Sequence, residues 1–126
     1  MLRTLFIVDS FVATAYGLAL LAAPDFMLHL YGLGGTVFQT RLLGAFVLGQ
    51  GPLLWFARDE TATTAGIAIT RGHGIIDAIS TVLCVTAILQ GAMNAQGWVV
   101  AILFALFGSA RLYYGFIRQP AVTATA

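Results

Sequence analysis

The sequence predicts an all-α membrane protein, folded as one antiparallel bundle of four transmembrane helices. Of its 126 residues, 60% are hydrophobic and only 9% are charged, whereas soluble domains have about 45–50% apolar and about 25% charged residues. The chain also contains four apolar segments of the ~20 residues that a helix needs to cross a bilayer. Inside hydrocarbon, the backbone of such segments is satisfied internally only by helices.

The first predicted span begins like a signal peptide, because Arg3 precedes an apolar run that ends in "LLAAP". The run is too long for a signal peptide and contains Asp9, so we interpret it as a retained helix. The four predicted spans cover residues 3–23, 38–57, 63–90 and 97–117. Small residues predict close helix contacts; they are Gly44, Ala45, Leu48, Gly49 and Pro52 on the second span and Gly17, Gly74, Gly108 and Gly115 on the others.

Three connections separate the spans. The first, "APDFMLHLYGLGGT" (23–36), predicts a short amphipathic helix in the membrane interface, ended by glycines. The stretches "ARDETAT" (57–63) and "GAMNAQG" (91–97) predict polar turns. Residues 1–118 are expected to form a single domain, and residues 119–126 a disordered tail.

The arginines predict the orientation of the chain. Arg3, Arg58 and Arg118 fall on one side of four alternating spans, so the positive-inside rule places both termini in the cytoplasm. A bacterial inner membrane is the expected location. The chain has no basic cluster, so nucleic acid is not an expected partner.

Polar residues form one stripe on the third predicted span. Thr70, His73, Asp77, Ser80 and Cys84 recur at spacings of 3, 4, 3 and 4, which places them on one helix face. Charged groups inside a bilayer are costly, so this face is expected to line the bundle interior. His73 and Asp77 lie on adjacent turns and are expected to touch.

The remaining charges predict contacts between helices. Asp9 and Arg111 lie at similar depths in the first and last spans, which predicts an ion pair between them. Arg71 points about 200° away from the stripe and is expected near enough to share Asp9. Arg41 either extends to the headgroups or turns inward toward Asp77. Such pairs also occur with no role beyond holding helices together.

Neither a metal nor a cofactor is predicted. The chain has one cysteine and two histidines, and His29 belongs to the first connection, at a different expected depth from His73. These residues do not form a ligand set for zinc or a pair of axial haem ligands.

Three short segments resemble the DoxX-like small four-helix membrane proteins of bacteria. They are "PDF" (24–26) followed by Tyr31 and Gly32, "RLLGAFVLGQG" (41–51) and "WFAR" (55–58) before a charged turn. The resemblance covers about residues 1–115 and implies a four-helix membrane bundle. Some members of that group are linked to quinone or thiol redox systems, but Cys84 stands alone here, and the resemblance implies no catalytic residue.

The sequence leaves three functions open. The first is binding of a lipophilic small molecule, such as a quinone, isoprenoid or sterol-like compound, by an intramembrane cluster. The second is an acid–base enzyme without a cofactor, for example an isomerase, cyclase or epoxide-opening catalyst. The third is a structural subunit of a homo-oligomer or larger membrane complex. The catalytic candidates are His73, Asp77 and Asp9, and the ligand-binding candidates are Arg41, Arg71, Arg111 and Ser80.

Overall fold

The computed structural model describes residues 1–118, and all regular structure in this part of the chain is helical. The helices are α1 (Leu2–Ala22), α2 (Pro24–Tyr31), α3 (Val37–Ala57), α4 (Thr64–Leu89) and α5 (Gly97–Leu112). A π-helical turn, Tyr113–Ile117, continues α5. The four long helices agree with the predicted spans to within a few residues, and α2 confirms the predicted short helix. The disorder predicted for residues 119–126 lies outside the described residues.

Local side-chain chemistry sets the helix ends. Thr36 and Gln39 form a capping box at the start of α3, in which each side chain accepts a hydrogen bond from the backbone of the other. The Thr63 hydroxyl accepts from the Gly66 amide at the start of α4. Gly32 ends α2 with a φ of 66°, a left-handed conformation that glycine adopts without strain.

The long helices pack as two antiparallel pairs. α1 packs along α3 and α4 packs along α5, whereas contact between the pairs is sparse. In the first pair, the Ser10 hydroxyl donates to the Gly51 carbonyl at 2.8 Å, and Gly17 faces Leu48. In the second pair, Gly74 faces Arg111 and Leu112. We call the boundary between the two pairs the seam.

Glycines allow the close approach within each pair, as predicted. A Cβ atom added at Gly17 would lie 2.7 Å from the Leu48 Cα, and one added at Gly44 would lie 2.8 Å from the Leu20 Cβ. Gly49 is different, because nothing lies within 4 Å of its added Cβ. The prediction that Gly49 serves helix contact is therefore wrong, since this glycine lies on the exposed face of α3.

Two apolar clusters close the opposite ends of the molecule. The terminal cluster, near the chain start and the α3–α4 connection, consists of Leu2, Phe6, Leu54 and Ala57. The distal cluster, under α2 and the α4–α5 connection, consists of Leu20, Met27, Tyr31, Met93 and Val100. Asn94 fastens the distal end, because its amide group donates to the Leu30 carbonyl and its backbone N–H donates to the Tyr31 carbonyl.

Three helices are long and apolar enough to cross a membrane: α1, α4 and the continuous helix Gly97–Ile117. Large apolar side chains on their outer faces are exposed, including Phe11, Leu83 and Leu106. Since water disfavours such surfaces, these features indicate a membrane protein. Within the described chain, α3 is equally long but less apolar, because it contains Arg41 and Gln50. The second predicted span is therefore confirmed as a helix only.

Candidate functional site

Three ionisable side chains, those of Asp9, Asp77 and Arg111, meet at the seam about one helical turn from the terminal cluster, and His73 lies one turn along α4 from Asp77. We call Asp9 of α1, His73 and Asp77 of α4 and Arg111 of α5 the polar layer. Three of these residues are buried and Asp9 is nearly so, although charged groups are rarely buried without partners. The layer thus concentrates the charge of three helices at one level of the bundle.

Arg111 is the centre of the polar layer, with 1% of its surface exposed. Its Nη1 donates to the Asp77 carboxylate and its Nη2 forms an ion pair with Asp9. The predicted Asp9–Arg111 pair is confirmed, and Asp77 is a second partner that the sequence did not predict. One guanidinium therefore links α1, α4 and α5.

Two glycines bring Arg111 and Asp77 together. A Cβ added at Gly74 would lie 3.2 Å from the Arg111 Cβ, and one added at Gly108 would lie 2.9 Å from the Asp77 Cβ. Each charged side chain thus starts against a glycine of the opposite helix, where α4 and α5 are closest. The Phe107 ring, 5.8 Å from the guanidinium carbon, adds a cation–π contact.

His73 does not contact Asp77, so the predicted pairing of these two residues is wrong. The histidine Nδ1 lies 3.1 Å from the Ile69 carbonyl one turn earlier, and no ion pair joins it to Asp77 within the described chain. Asp77 binds Arg111 instead, because a carboxylate forms a stronger, charge-assisted bond with a guanidinium than with a neutral imidazole.

The backbone contact of His73 fixes the tautomer of the neutral ring. A carbonyl oxygen only accepts, so Nδ1 must carry the hydrogen, and Nε2 is left as a hydrogen-bond acceptor. Nε2 is buried and has no partner among residues 1–118. Buried polar atoms normally have one. His73 therefore offers an unused acceptor inside the bundle.

The other residues of the predicted polar stripe on α4 lie toward the interior to different degrees. Thr70 is fully buried and its hydroxyl donates to the Gly66 carbonyl at 2.7 Å. Ser80 and Cys84 are half-buried, and Cys84 packs against the distal cluster. The prediction of an interior polar face is confirmed from Thr70 to Asp77 and weakens beyond.

Arg71 does not share Asp9, which corrects the predicted contact. Its Nε donates to the Gly115 carbonyl at 2.8 Å, and its guanidinium carbon lies 5.0 Å from the centre of the Phe116 ring. The absence of a side chain at Gly115 lets Arg71 approach the π-helical turn. Turned to this end of α5, Arg71 forms no ion pair within residues 1–118.

Arg41 does not turn toward Asp77, so the inward alternative is wrong. It lies exposed near the start of α3, and the Asp77 carboxylate is occupied by Arg111. Its exposure agrees with the alternative in which the side chain extends to the headgroups.

A cavity of about 220 Å³ lies between α4 and α5, and none of the candidate residues lines it. Ala78, Thr81, Phe104, Ala105, Gly108, Ser109 and Leu112 line it. Gly108 also faces Asp77, so the cavity backs onto the polar layer without including its side chains. A molecule in this cavity would contact small and apolar groups, not the predicted site.

No family model, curated protein or solved structure matches this chain. The resemblance to the DoxX-like group stays a prediction.

Proposed function

We propose that this chain is a four-helix membrane protein that binds a lipophilic small molecule at the seam, with His73 receiving its polar end. The observation that carries the proposal is the buried His73 Nε2, an acceptor without a partner among the described residues. A buried polar atom without a partner costs about 1–3 kcal/mol. A ligand that supplies a hydrogen bond recovers this energy.

The tautomer of His73 selects the kind of ligand. Because Nδ1 donates to Ile69, Nε2 of the neutral ring accepts, and its complement is a hydroxyl group. Among quinone, isoprenoid and sterol-like compounds, the proposal therefore favours the forms that carry a hydroxyl: a quinol, an isoprenoid alcohol or a sterol. The exposed apolar faces of the helices suit a ligand that arrives from the bilayer.

Access requires the two helix pairs to separate locally. Nε2 is buried, and the cavity between α4 and α5 does not include His73. Contact between the pairs is sparse compared with contact within them. Opening the seam therefore breaks less packing than opening either pair, provided that the Asp9–Arg111 ion pair, which crosses the seam, stays intact, and the ligand replaces the packing contacts that are lost.

The acid–base enzyme remains a weaker alternative for this site. In this form Asp77 donates a proton to the substrate and His73 accepts one, or the reverse, whereas the Asp77 carboxylate is already bound by Arg111. The structural-subunit alternative has a specific observation in its favour, because Arg111 engages both carboxylates and thereby joins three helices.

The test compares a phenol with its methyl ether. Wild-type protein in mild detergent is titrated with 4-nonylphenol and with 4-nonylanisole, and binding is measured by native mass spectrometry. We expect the phenol to bind about two- to tenfold more tightly, since one buried hydrogen bond contributes roughly 0.5–1.5 kcal/mol. His73→Leu removes this difference, whereas His29→Leu, at an exposed position, keeps it.

Three results contradict the proposal: neither compound binds, both bind equally to the wild type, or the difference persists in His73→Leu. If neither binds and a partner protein co-migrates during purification, the structural role is favoured. If the phenol is converted into a product that Asp77→Asn no longer yields, at unchanged affinity, the enzyme is favoured.

A further inference from the structure

The polar layer contains more negative than positive groups. The carboxylates of Asp9 and Asp77 both contact Arg111, the only cation among them. His73, with Nδ1 donating to Ile69, adds no charge as the neutral ring. With both carboxylates ionised, the layer would therefore hold one uncompensated negative charge in an apolar bundle.

No other cation of the described chain compensates this charge by direct contact. Arg3, at the start of α1, pairs with the exposed Asp59. Arg41 of α3 is exposed and unpaired within residues 1–118. Arg71 of α4 donates to the Gly115 carbonyl of the π-helical turn and forms no ion pair within residues 1–118. The negative charge must therefore be compensated within the polar layer itself.

We infer that the polar layer is a proton-binding site, which holds one proton on the carboxyl group of Asp9 or Asp77 at neutral pH. The protonated carboxyl and the remaining carboxylate–Arg111 pair are together neutral. Protonation of His73 would also balance the charge, but it would add a fourth buried charge outside contact with either carboxylate. Since each buried charge carries a desolvation cost, a proton on a carboxyl is the cheaper solution.

Infrared spectroscopy tests this inference without any ligand. The chain has five acidic residues, and Asp25, Asp59 and Glu60 are exposed. Exposed carboxyl groups are ionised at pH 7. In the difference spectrum between unlabelled and [4-¹³C]aspartate-labelled protein in phosphatidylcholine nanodiscs at pH 7, which cancels the lipid ester bands, a carbonyl stretch of a protonated carboxyl group therefore comes from the polar layer. Labelling with [4-¹³C]aspartate must shift this band.

Single isosteric variants then test whether the proton depends on the presence of both carboxylates. Asp9→Asn and Asp77→Asn each leave one carboxylate opposite Arg111, so each is expected to remove the band completely. Asp25→Asn, at an exposed position, leaves the band unchanged. Should a variant not fold, the isotope shift in the wild type still decides whether an aspartate holds the proton.

Several outcomes overturn the inference. One is an absence of the band in the wild type at pH 7, and another is its persistence in both single variants. A band that appears only in Arg71→Gln would show that Arg71 balances the layer from a distance. A ¹⁵N spectrum of His73 in the His29→Gln background that shows an imidazolium at pH 7 would place the proton on the ring. Each result is independent of whether a lipophilic ligand binds.

Discussion

At the scale of single residues, Arg111 determines what the other polar groups do. By binding both Asp9 and Asp77, it leaves His73 to bond with the backbone of its own helix. The sequence predicted the Asp9 contact because the depth of a residue in a spanning helix follows from its distance along the chain from the helix end, and Asp9 and Arg111 lie at similar depths. It did not predict the Asp77 contact, because the choice between two neighbours on one face depends on where Gly74 and Gly108 let the helices meet.

Loss of both carboxylates is expected to cost more than the sum of the single losses. Asp9→Asn or Asp77→Asn alone leaves Arg111 with one partner, so we expect each to lower the free energy of unfolding by about 1–2 kcal/mol. The double variant leaves a buried cation alone, at a cost of about 3–5 kcal/mol or more. Reversible unfolding in mixed micelles measures all three.

Two controls belong to this experiment. Replacing Arg111 as well, by Met, should restore much of the stability that the double variant loses, because an apolar side chain needs no partner. Asp59→Asn breaks an exposed ion pair and should cost less than about 1 kcal/mol. Strictly additive effects of Asp9→Asn and Asp77→Asn would show that Arg111 does not depend on the two carboxylates jointly.

At the scale of elements, the helices follow directly from local sequence, whereas their contacts do so only in part. Apolar runs, the capping box at Thr36 and the left-handed Gly32 place the helices within a few residues. Glycines in a helix predict contact without telling which face meets a neighbour. This is why Gly17 was correctly predicted as a contact and Gly49 was not.

Alanine substitutions at Gly17 and Gly49 should distinguish the effect of a close helix contact on stability from the effect of helix propensity. Gly17→Ala forces α1 away from the α3 backbone, and we expect the free energy of unfolding to fall by about 1–3 kcal/mol. Gly49→Ala meets no atom and improves helix propensity, so stability should stay constant or rise by up to about 1 kcal/mol. The same unfolding assay applies. Equal losses at the two positions would contradict the packing of α1 on α3.

At the scale of the whole molecule, contacts between distant segments define two opposite ends. Arg3 pairs with Asp59 and the Tyr114 hydroxyl lies 3.1 Å from the Met1 sulfur, so the start of α1, the π-helical turn and the α3–α4 connection share one end. Asn94 joins α2 to the α4–α5 connection at the other. The order of the predicted spans was enough to predict that successive connections lie at alternate ends. The sparse contact between the two helix pairs could not be predicted from the sequence, because it arises only from tertiary packing.

Thiol labelling tests the proposed orientation in the membrane. In a Cys84→Ser background, which removes the one native cysteine, single cysteines are placed at the exposed Glu60 and Gln96. A membrane-impermeant maleimide added to intact cells is expected to label Gln96→Cys, and to label Glu60→Cys only after lysis. Labelling of both from the same side would exclude alternating spans, and the reverse pattern would place the termini outside.

The position of the apolar clusters affects the route by which a small molecule could reach His73. The terminal cluster lies between the polar layer and the nearer end of the molecule, so a water-dissolved solute on a route from that end would meet packed apolar side chains. Under the proposed function, a ligand would reach the buried His73 from the side, once the two helix pairs separate locally. A compound's concentration at this residue would follow its partitioning into the bilayer, not its abundance in the aqueous phase.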